Sequence, residues 1–200
     1  MIDQSPSFDR LRAFAADVAV IGGGPVGITT ALALADRGFR VLLLESGGRA
    51  PRPEAQALSE ADNLRPDNHH VPHITVARRL GGASNLWGGR CLPFDPIDFS
   101  DRPWLGLPAW PIGPEALAPW LDPACAAMDA GAPVFAEPLA GVTADPAFGF
   151  ESLERWSNTP RIQVFRRAAL EGSSGLLVAL GATALGFVYD AAGRITAIDL

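Results

Sequence analysis

The sequence predicts an α/β fold centred on a strand–helix–strand unit, and three observations support this prediction. Residues 18–21 (VAVI) and 41–45 (VLLLE) are short apolar runs typical of buried strands. The segment between them, PVGITTALALADRG, has the composition of a helix that begins at Pro25 and ends near Gly38. Strand, helix and strand in close succession indicate a βαβ unit, and therefore a parallel sheet.

The last quarter of the chain predicts further strands. Three runs have strand composition: LLVAL, ALGFVYD and RITAIDL. The last two are joined by a turn of hairpin length at residues 190–193, which predicts a C-terminal β-hairpin or meander. Upstream, QVFRRAALEG favours a short helix, and PEALAPWLDPACAAMDAG favours helix with interruptions at Pro119 and Pro123.

The pattern also suggests how the chain is organised. We expect a polar leader at residues 1–15 and one domain over residues 16–200, which residues downstream of Leu200 would complete. Within this domain we distinguish an irregular connection at 46–75, a glycine-rich loop at 76–91 and a lid or substrate-side insertion at 92–150.

Composition excludes several classes of function. The net charge is −6 and all sixteen positive residues are arginine, so neither a Gly-Lys-Ser phosphate loop nor Schiff-base chemistry is available within this chain. The acidic balance predicts no nucleic-acid partner. Cys91 and Cys125 form no Cys-x-x-Cys pair, which favours a reducing, cytoplasmic location. There is no secretion signal, and no run reaches the roughly eighteen apolar residues of a membrane span.

The first motif is a dinucleotide fingerprint. Gly22, Gly24 and Gly27 fit G-x-G-x-x-G, directly after a predicted strand and at the start of a predicted helix that includes Pro25. Glu45 ends the next strand, where an acidic side chain accepts hydrogen bonds from ribose hydroxyls and repels a 2′-phosphate. The pattern predicts a Rossmann-like domain that binds NAD or FAD, since both cofactors use this cradle.

The second motif is LGGASNLWGG at residues 80–89. Two diglycines, Gly81–Gly82 and Gly88–Gly89, flank Trp87, although glycine costs backbone entropy on folding. One interpretation is a tight surface turn with Trp87 in the core. The other is a loop whose backbone lies directly against a large cofactor.

These stretches together resemble the glucose–methanol–choline family of FAD-dependent oxidoreductases. The resemblance rests on DVAVIGGGPVGITTALALADRGFRVLLLESGG, on ARRLGGASNLWGGRC and on WPIGPEALAPWLDPA. It implies FAD as cofactor and makes residues 76–91 the flavin loop. In this family the glycines of the loop let backbone lie against the flavin, which favours the second interpretation.

The resemblance also implies roles for individual residues. Ser84 and Asn85 would bond to phosphate or ribityl oxygens, and Trp87 would wall one side of the flavin ring. Leu86 stands where some relatives carry a flavin-linked histidine, so the FAD is expected to be non-covalent. A backbone group of Ala184 would contact the adenine. The predicted cofactor-binding residues are thus Gly22, Gly24, Pro25, Gly27, Glu45, Arg79, Gly81, Gly82, Ser84, Asn85, Leu86, Trp87, Gly88, Gly89 and Ala184; Arg78 is a further candidate for a phosphate or carboxylate contact.

The family reaction oxidises a CH–OH group of an alcohol or sugar. A base takes the hydroxyl proton and the carbon passes hydride to the flavin. Relatives place a catalytic histidine near their C-terminus, whereas no histidine follows His73 here. The catalytic residues are therefore expected beyond Leu200, and the electron acceptor is not indicated.

Two alternatives to this function remain open. A flavin monooxygenase suits the first motif but not LGGASNLWGG, and a flavin- or nucleotide-binding module without chemistry suits a chain that lacks a base. The three histidines, His69, His70 and His73, lie in a predicted loop without cysteines or helical spacing, so no metal site is expected.

Overall fold

The computed structural model describes residues 1–137, 141 and 153–200. The strands are β1 (Ile2–Asp3), β2 (Val18–Ile21), β3 (Val41–Glu45), β4 (Arg90–Cys91), β5 (Arg155–Trp156), β6 (Leu176–Leu180), β7 (Gly186–Tyr189) and β8 (Ile195–Asp199). The α-helices are α1 (Phe8–Phe14), α2 (Pro25–Ala35), α3 (Pro53–Ala57), α4 (Pro72–Thr75), α5 (Pro114–Leu117), α6 (Leu121–Ala127), α7 (Ile162–Phe165) and α8 (Arg167–Gly172). Short 3₁₀ helices lie at Gly82–Asn85, Pro96–Phe99, Pro103–Leu105 and Ala118–Trp120.

The chain forms two compact units. One consists of residues 1–87 and 161–200, and the other of residues 88–160. The first unit contains both ends of the predicted domain and the βαβ motif.

A four-stranded parallel sheet is the centre of the first unit. Its strand order is β1-β6-β3-β2. Val18 pairs with Val41, and Leu43 pairs with Val178. Strands β3 and β6 are buried along almost their whole length, as their uninterrupted aliphatic sequences predict. The predicted α/β class, parallel sheet and βαβ unit are confirmed.

Helix α2 connects two strands of this sheet. It starts at Pro25 and buries Ile28, Ala31 and Leu32. The helix ends at Ala35, slightly before Gly38, whose φ of +89° belongs to the turn that leads into β3. The buried face of α2 consists of small and aliphatic side chains, which allows the helix to lie close to the strands.

Residues 1–15, predicted as a polar leader, contain two ordered elements. Strand β1 pairs in parallel with β6, with Ile2 opposite Val178. Helix α1 follows, and the Ser7 side chain caps it by accepting a hydrogen bond from the Arg10 amide. No sequence pattern indicated β1, because a two-residue strand is too short to carry a periodic pattern.

The segments flanking the sheet largely follow the prediction. The connection 46–75 contains only the short helices α3 and α4. Strands β7 and β8 form the predicted antiparallel hairpin, closed by a hydrogen bond from the Gly193 amide to the Asp190 carbonyl. Hydrogen bonds from the backbone and side chain of Arg194 hold the pKa of the Asp190 carboxyl below its usual value.

The predicted insertion at 92–150 falls within the second unit, and residues 138–140 and 142–150 of it lie outside the described part. Strands β4 and β5 pair antiparallel, with Cys91 opposite Arg155. The predicted helical stretch is interrupted at Pro119 by a 3₁₀ turn between α5 and α6, whereas Pro123, also predicted as an interruption, lies in the first turn of α6, where proline is tolerated. Edge-to-face contacts join Phe94, Phe99 and Trp110 into an aromatic cluster.

Candidate functional site

A cavity of about 330 Å³ lies in the first unit where β2 and β3 end. The carboxyl ends of parallel strands are the usual ligand site of open α/β sheets. The cavity is lined by Ile21, Gly22, Gly24, Leu44, Glu45, Ser46, Ala77, Arg78, Gly82, Ala182, Thr183 and Ala184. Both glycine motifs and the segment after β6 therefore contribute to one site.

The turn between β2 and α2 explains its glycines physically. Gly22 has a φ of +100°, and its amide donates to the Leu44 carbonyl at 2.8 Å. A β-carbon on Gly27 would overlap the carbonyl oxygen of Gly22, so the helix can approach the turn only if residue 27 is glycine. Gly24 is the N-cap of α2 and has no side chain to cover the first helical amides. The unpaired N–H groups at this end of an eleven-residue helix suit a phosphate.

Glu45 is buried at the end of β3, with 7% of its surface exposed. Its carboxylate accepts hydrogen bonds from the amides of Gly23 and Gly47, both at 2.8 Å. A carboxylate has about four acceptor positions, so acceptor capacity remains for ribose hydroxyls. The side chain thus organises the backbone of the cavity in addition to lining it, a role that the sequence did not indicate.

The flavin loop packs directly on the first motif. The Gly81 amide donates to the Gly23 carbonyl at 2.7 Å, and the Leu80 amide donates to the Gly48 carbonyl at 3.0 Å. Leu80 itself is 2% exposed. Two loops far apart in sequence are therefore joined backbone to backbone beside the cavity.

The side chains of Ser84 and Asn85 bond within the protein. Ser84 Oγ donates to the Gly81 carbonyl at 2.6 Å, and Asn85 Nδ2 donates to the carbonyls of Leu80 at 3.1 Å and Gly82 at 2.9 Å. Asn85 Oδ1 accepts from Gln163 at 2.8 Å. Their bonds to a cofactor stay predictions, and neither residue lines the cavity.

The remaining residues of the loop differ in exposure. Leu86 is 52% exposed and Trp87 is half-buried. Gly88 and Gly89 begin the second unit. Gly89 has a φ of +88° and sits against Pro160, so its own environment requires glycine. Gly88 has neither a positive φ nor a close neighbour: a β-carbon there would meet Trp156 at 3.4 Å, an ordinary contact.

The two adjacent arginines have different positions. Arg78 lines the cavity, and its Nε donates to Ser59 Oγ at 2.7 Å. Its backbone amide donates to Gln56 Oε1 at 3.0 Å. Arg79, the arginine that the sequence prediction included, is outside the lining. Because Arg78 and Arg79 are adjacent and of the same residue type, the sequence could not show which of them lines the cavity. The turn of the backbone after Ala77 determines this.

The two cysteines belong to the second unit. Burial raises the pKa of the Cys91 thiol, and likewise that of Cys125, so both stay protonated at neutral pH. Among the described residues, no three His, Cys, Asp or Glu side chains are grouped to hold a metal ion. No helix in the described ranges has the length and apolarity needed to cross a membrane.

The fold and cavity define an α/β domain with glycine-rich turns at the carboxyl ends of its parallel strands. Residues 17–56 match the model of the family described as FAD dependent oxidoreductase. The chain is 30% identical over 126 residues to 2-methyl-1,2-propanediol dehydrogenase of Mycolicibacterium austroafricanum, a match that covers 53% of this chain and 23% of that protein. The chain thus spans about a quarter of the length of this relative.

Two solved structures of oxidases are also similar to this chain. Pyridoxine 4-oxidase from Mesorbium loti has 17% identity and a TM-score of 0.49, with 92% of this chain and 45% of that chain covered. Formate oxidase from Aspergillus oryzae RIB40 has 14% identity and a TM-score of 0.41, with 90% and 43% covered.

The chain is therefore similar over residues 17–56 to FAD-dependent oxidoreductases, and over 126 residues to a dehydrogenase. The match over residues 17–56 supports the expected FAD cofactor and the resemblance to FAD-dependent oxidoreductases. Gly22, Gly24 and Gly27 lie inside the matched segment, as does Glu45.

Proposed function

We propose that the protein oxidises a CH–OH group of a small alcohol or sugar, with this chain holding non-covalent FAD. The observation that carries the proposal is the convergence of Gly22, Gly24, Glu45 and Ala184 on one cavity at the carboxyl ends of β2 and β3. The similarity to a dehydrogenase of a small diol supports an alcohol as substrate class.

The donor and acceptor groups of the cavity fit FAD. The amides at the N-terminus of α2 receive the pyrophosphate, and Glu45 accepts hydrogen bonds from the adenosine ribose. Backbone at Ala184 lies at the same cavity, available to the adenine. The guanidinium of Arg78, held by Ser59, adds a positive charge for the anionic cofactor.

FAD, when bound, supplies a hydride acceptor for the substrate carbon. This chain's own residues bind and orient the cofactor. We place the proton acceptor for the substrate hydroxyl outside residues 1–200, because the three histidines lie upstream of the flavin loop. The electron acceptor that reoxidises the flavin stays open, and we propose a cytoplasmic location from the two unpaired cysteines.

Visible absorption of the purified, full-length protein tests this function. We expect an oxidised-flavin spectrum that bleaches when a small alcohol or sugar is added without oxygen. A colourless protein that takes up no added FAD would refute the proposal. A yellow protein that no alcohol or sugar bleaches, but that dithionite reduces, would support a binding module without alcohol chemistry.

A further inference from the structure

Helix α7 is joined to the flavin loop by a residue that neither glycine motif contains. We propose that Gln163 is a positioning residue, which fixes the backbone of the flavin loop through Asn85. This inference rests on the proposed role of the loop in holding FAD. It concerns residues of the first unit alone.

The hydrogen bonds define the direction of each amide. Asn85 Nδ2 donates to two backbone carbonyls, those of Leu80 and Gly82, so Asn85 Oδ1 must be the acceptor that faces α7. Gln163 Nε2 donates to that oxygen at 2.8 Å. The side chain of Gln163 thus holds Asn85, and Asn85 holds the loop on both sides of Gly81.

The carbonyl end of the Gln163 side-chain amide gives a reason why residue 81 of the loop is glycine. Oε1 of Gln163 is buried and accepts no hydrogen bond from the residues that the structure describes. A β-carbon on Gly81 would collide with this oxygen and with the amide carbon. Gly81 therefore makes room for Gln163, and the amide is held in place by its NH₂ end.

Helix α7 is packed against the rest of the first unit. Ile162 is 1% exposed, and its amide is within 3.4 Å of Ser84 Oγ. The helix also packs against α2, whose N-terminus receives the cofactor's phosphates in the proposed function. Gln163 thereby ties the loop to the same layer that carries the phosphate cradle.

The test compares FAD affinity of the full-length apo-protein for three variants. Gln163→Met keeps the length of the side chain but removes the amide, and it should weaken FAD binding about tenfold, the usual effect of leaving one buried partner unpaired. Gln163→Glu should bind FAD weakly above its carboxyl pKa and recover at lower pH, because only the protonated acid donates to Asn85 Oδ1. Val164→Ala, an exposed neighbour on α7, is the control and should bind like the wild type.

Each outcome of these FAD titrations either supports or overturns the proposed role of Gln163. Wild-type affinity in Gln163→Met, or an affinity of Gln163→Glu that follows the pH dependence of the wild type, would overturn it. The two pH arms of the Glu variant use one folded protein, so misfolding of the Met variant does not remove the test. Absence of FAD binding by the wild type would refute the proposed function and this inference together, whereas normal binding by both Gln163 variants would refute the inference alone.

Discussion

Gly24 and Gly82 are in direct backbone contact: a β-carbon on Gly82 would lie 2.9 Å from the Cα of Gly24. One belongs to the turn before α2 and the other to the flavin loop. Both line the same cavity. The glycines of the two motifs therefore make room for each other.

Gly82→Ala should break this contact. Gly82 also has a φ of +51°, so the substitution combines left-handed strain with a backbone collision and should lower the free energy of unfolding by more than about 2 kcal/mol. Gly38→Ala is the matched control, because Gly38 has a φ of +89° and no neighbour within 4 Å. Urea titration of both variants separates the left-handed strain from the collision with Gly24. Equal losses of unfolding free energy in the two variants would show that the Gly24 contact contributes nothing to stability.

Glu45→Ala should affect both stability and affinity. Without FAD, the variant loses two hydrogen bonds to backbone amides, at a cost of at least about 2 kcal/mol in unfolding free energy. FAD affinity should fall by about a further 1–3 kcal/mol as the ribose hydroxyls lose their acceptor. Thermal melts of the apo-protein and FAD titrations measure the two separately, with the exposed Glu60→Ala as control. Unchanged FAD affinity would remove Glu45 from the ribose site.

Gly88→Ala should reduce bound flavin per chain with little change in far-UV circular dichroism. Its backbone needs no positive φ and has room for a methyl group beside Trp156, so neither strain nor a protein collision accounts for glycine here. The family resemblance predicts that this position lies against the flavin, where overpacking would cost about 1–3 kcal/mol. Gly172→Ala, with no neighbour within 4 Å, is the control. Full flavin content in Gly88→Ala would show that the methyl group meets no cofactor.

The flavin should be released by acid. Leu86 has an aliphatic side chain that forms no bond to the isoalloxazine, and it is 52% exposed. Acid precipitation of the holoprotein should leave the yellow colour in the supernatant. Colour in the washed pellet would reveal a covalent link at some other residue.

The sequence alone determined the local elements and predicted a dinucleotide cofactor. The aliphatic runs of β2, β3 and β6 are long enough to predict buried strands, and the glycine spacing before α2 is a local requirement of one turn. The hairpin of β7 and β8 is likewise set by neighbours in sequence. Such features depend on residues a few positions apart, so the chain order displays them.

Tertiary structure decided which residues meet. The hydrogen bonds from Gly23 and Gly47 to Glu45 depend on how the chain returns to the sheet, and so does the pairing of β1 with β6. Asn85 was predicted to face the cofactor, but its observed partners include Gln163, which no sequence motif indicated. Hydrogen bonds between segments so far apart produce no periodic pattern and no fixed spacing in the sequence. Their geometry exists only once the sheet and α2 have placed both loops side by side.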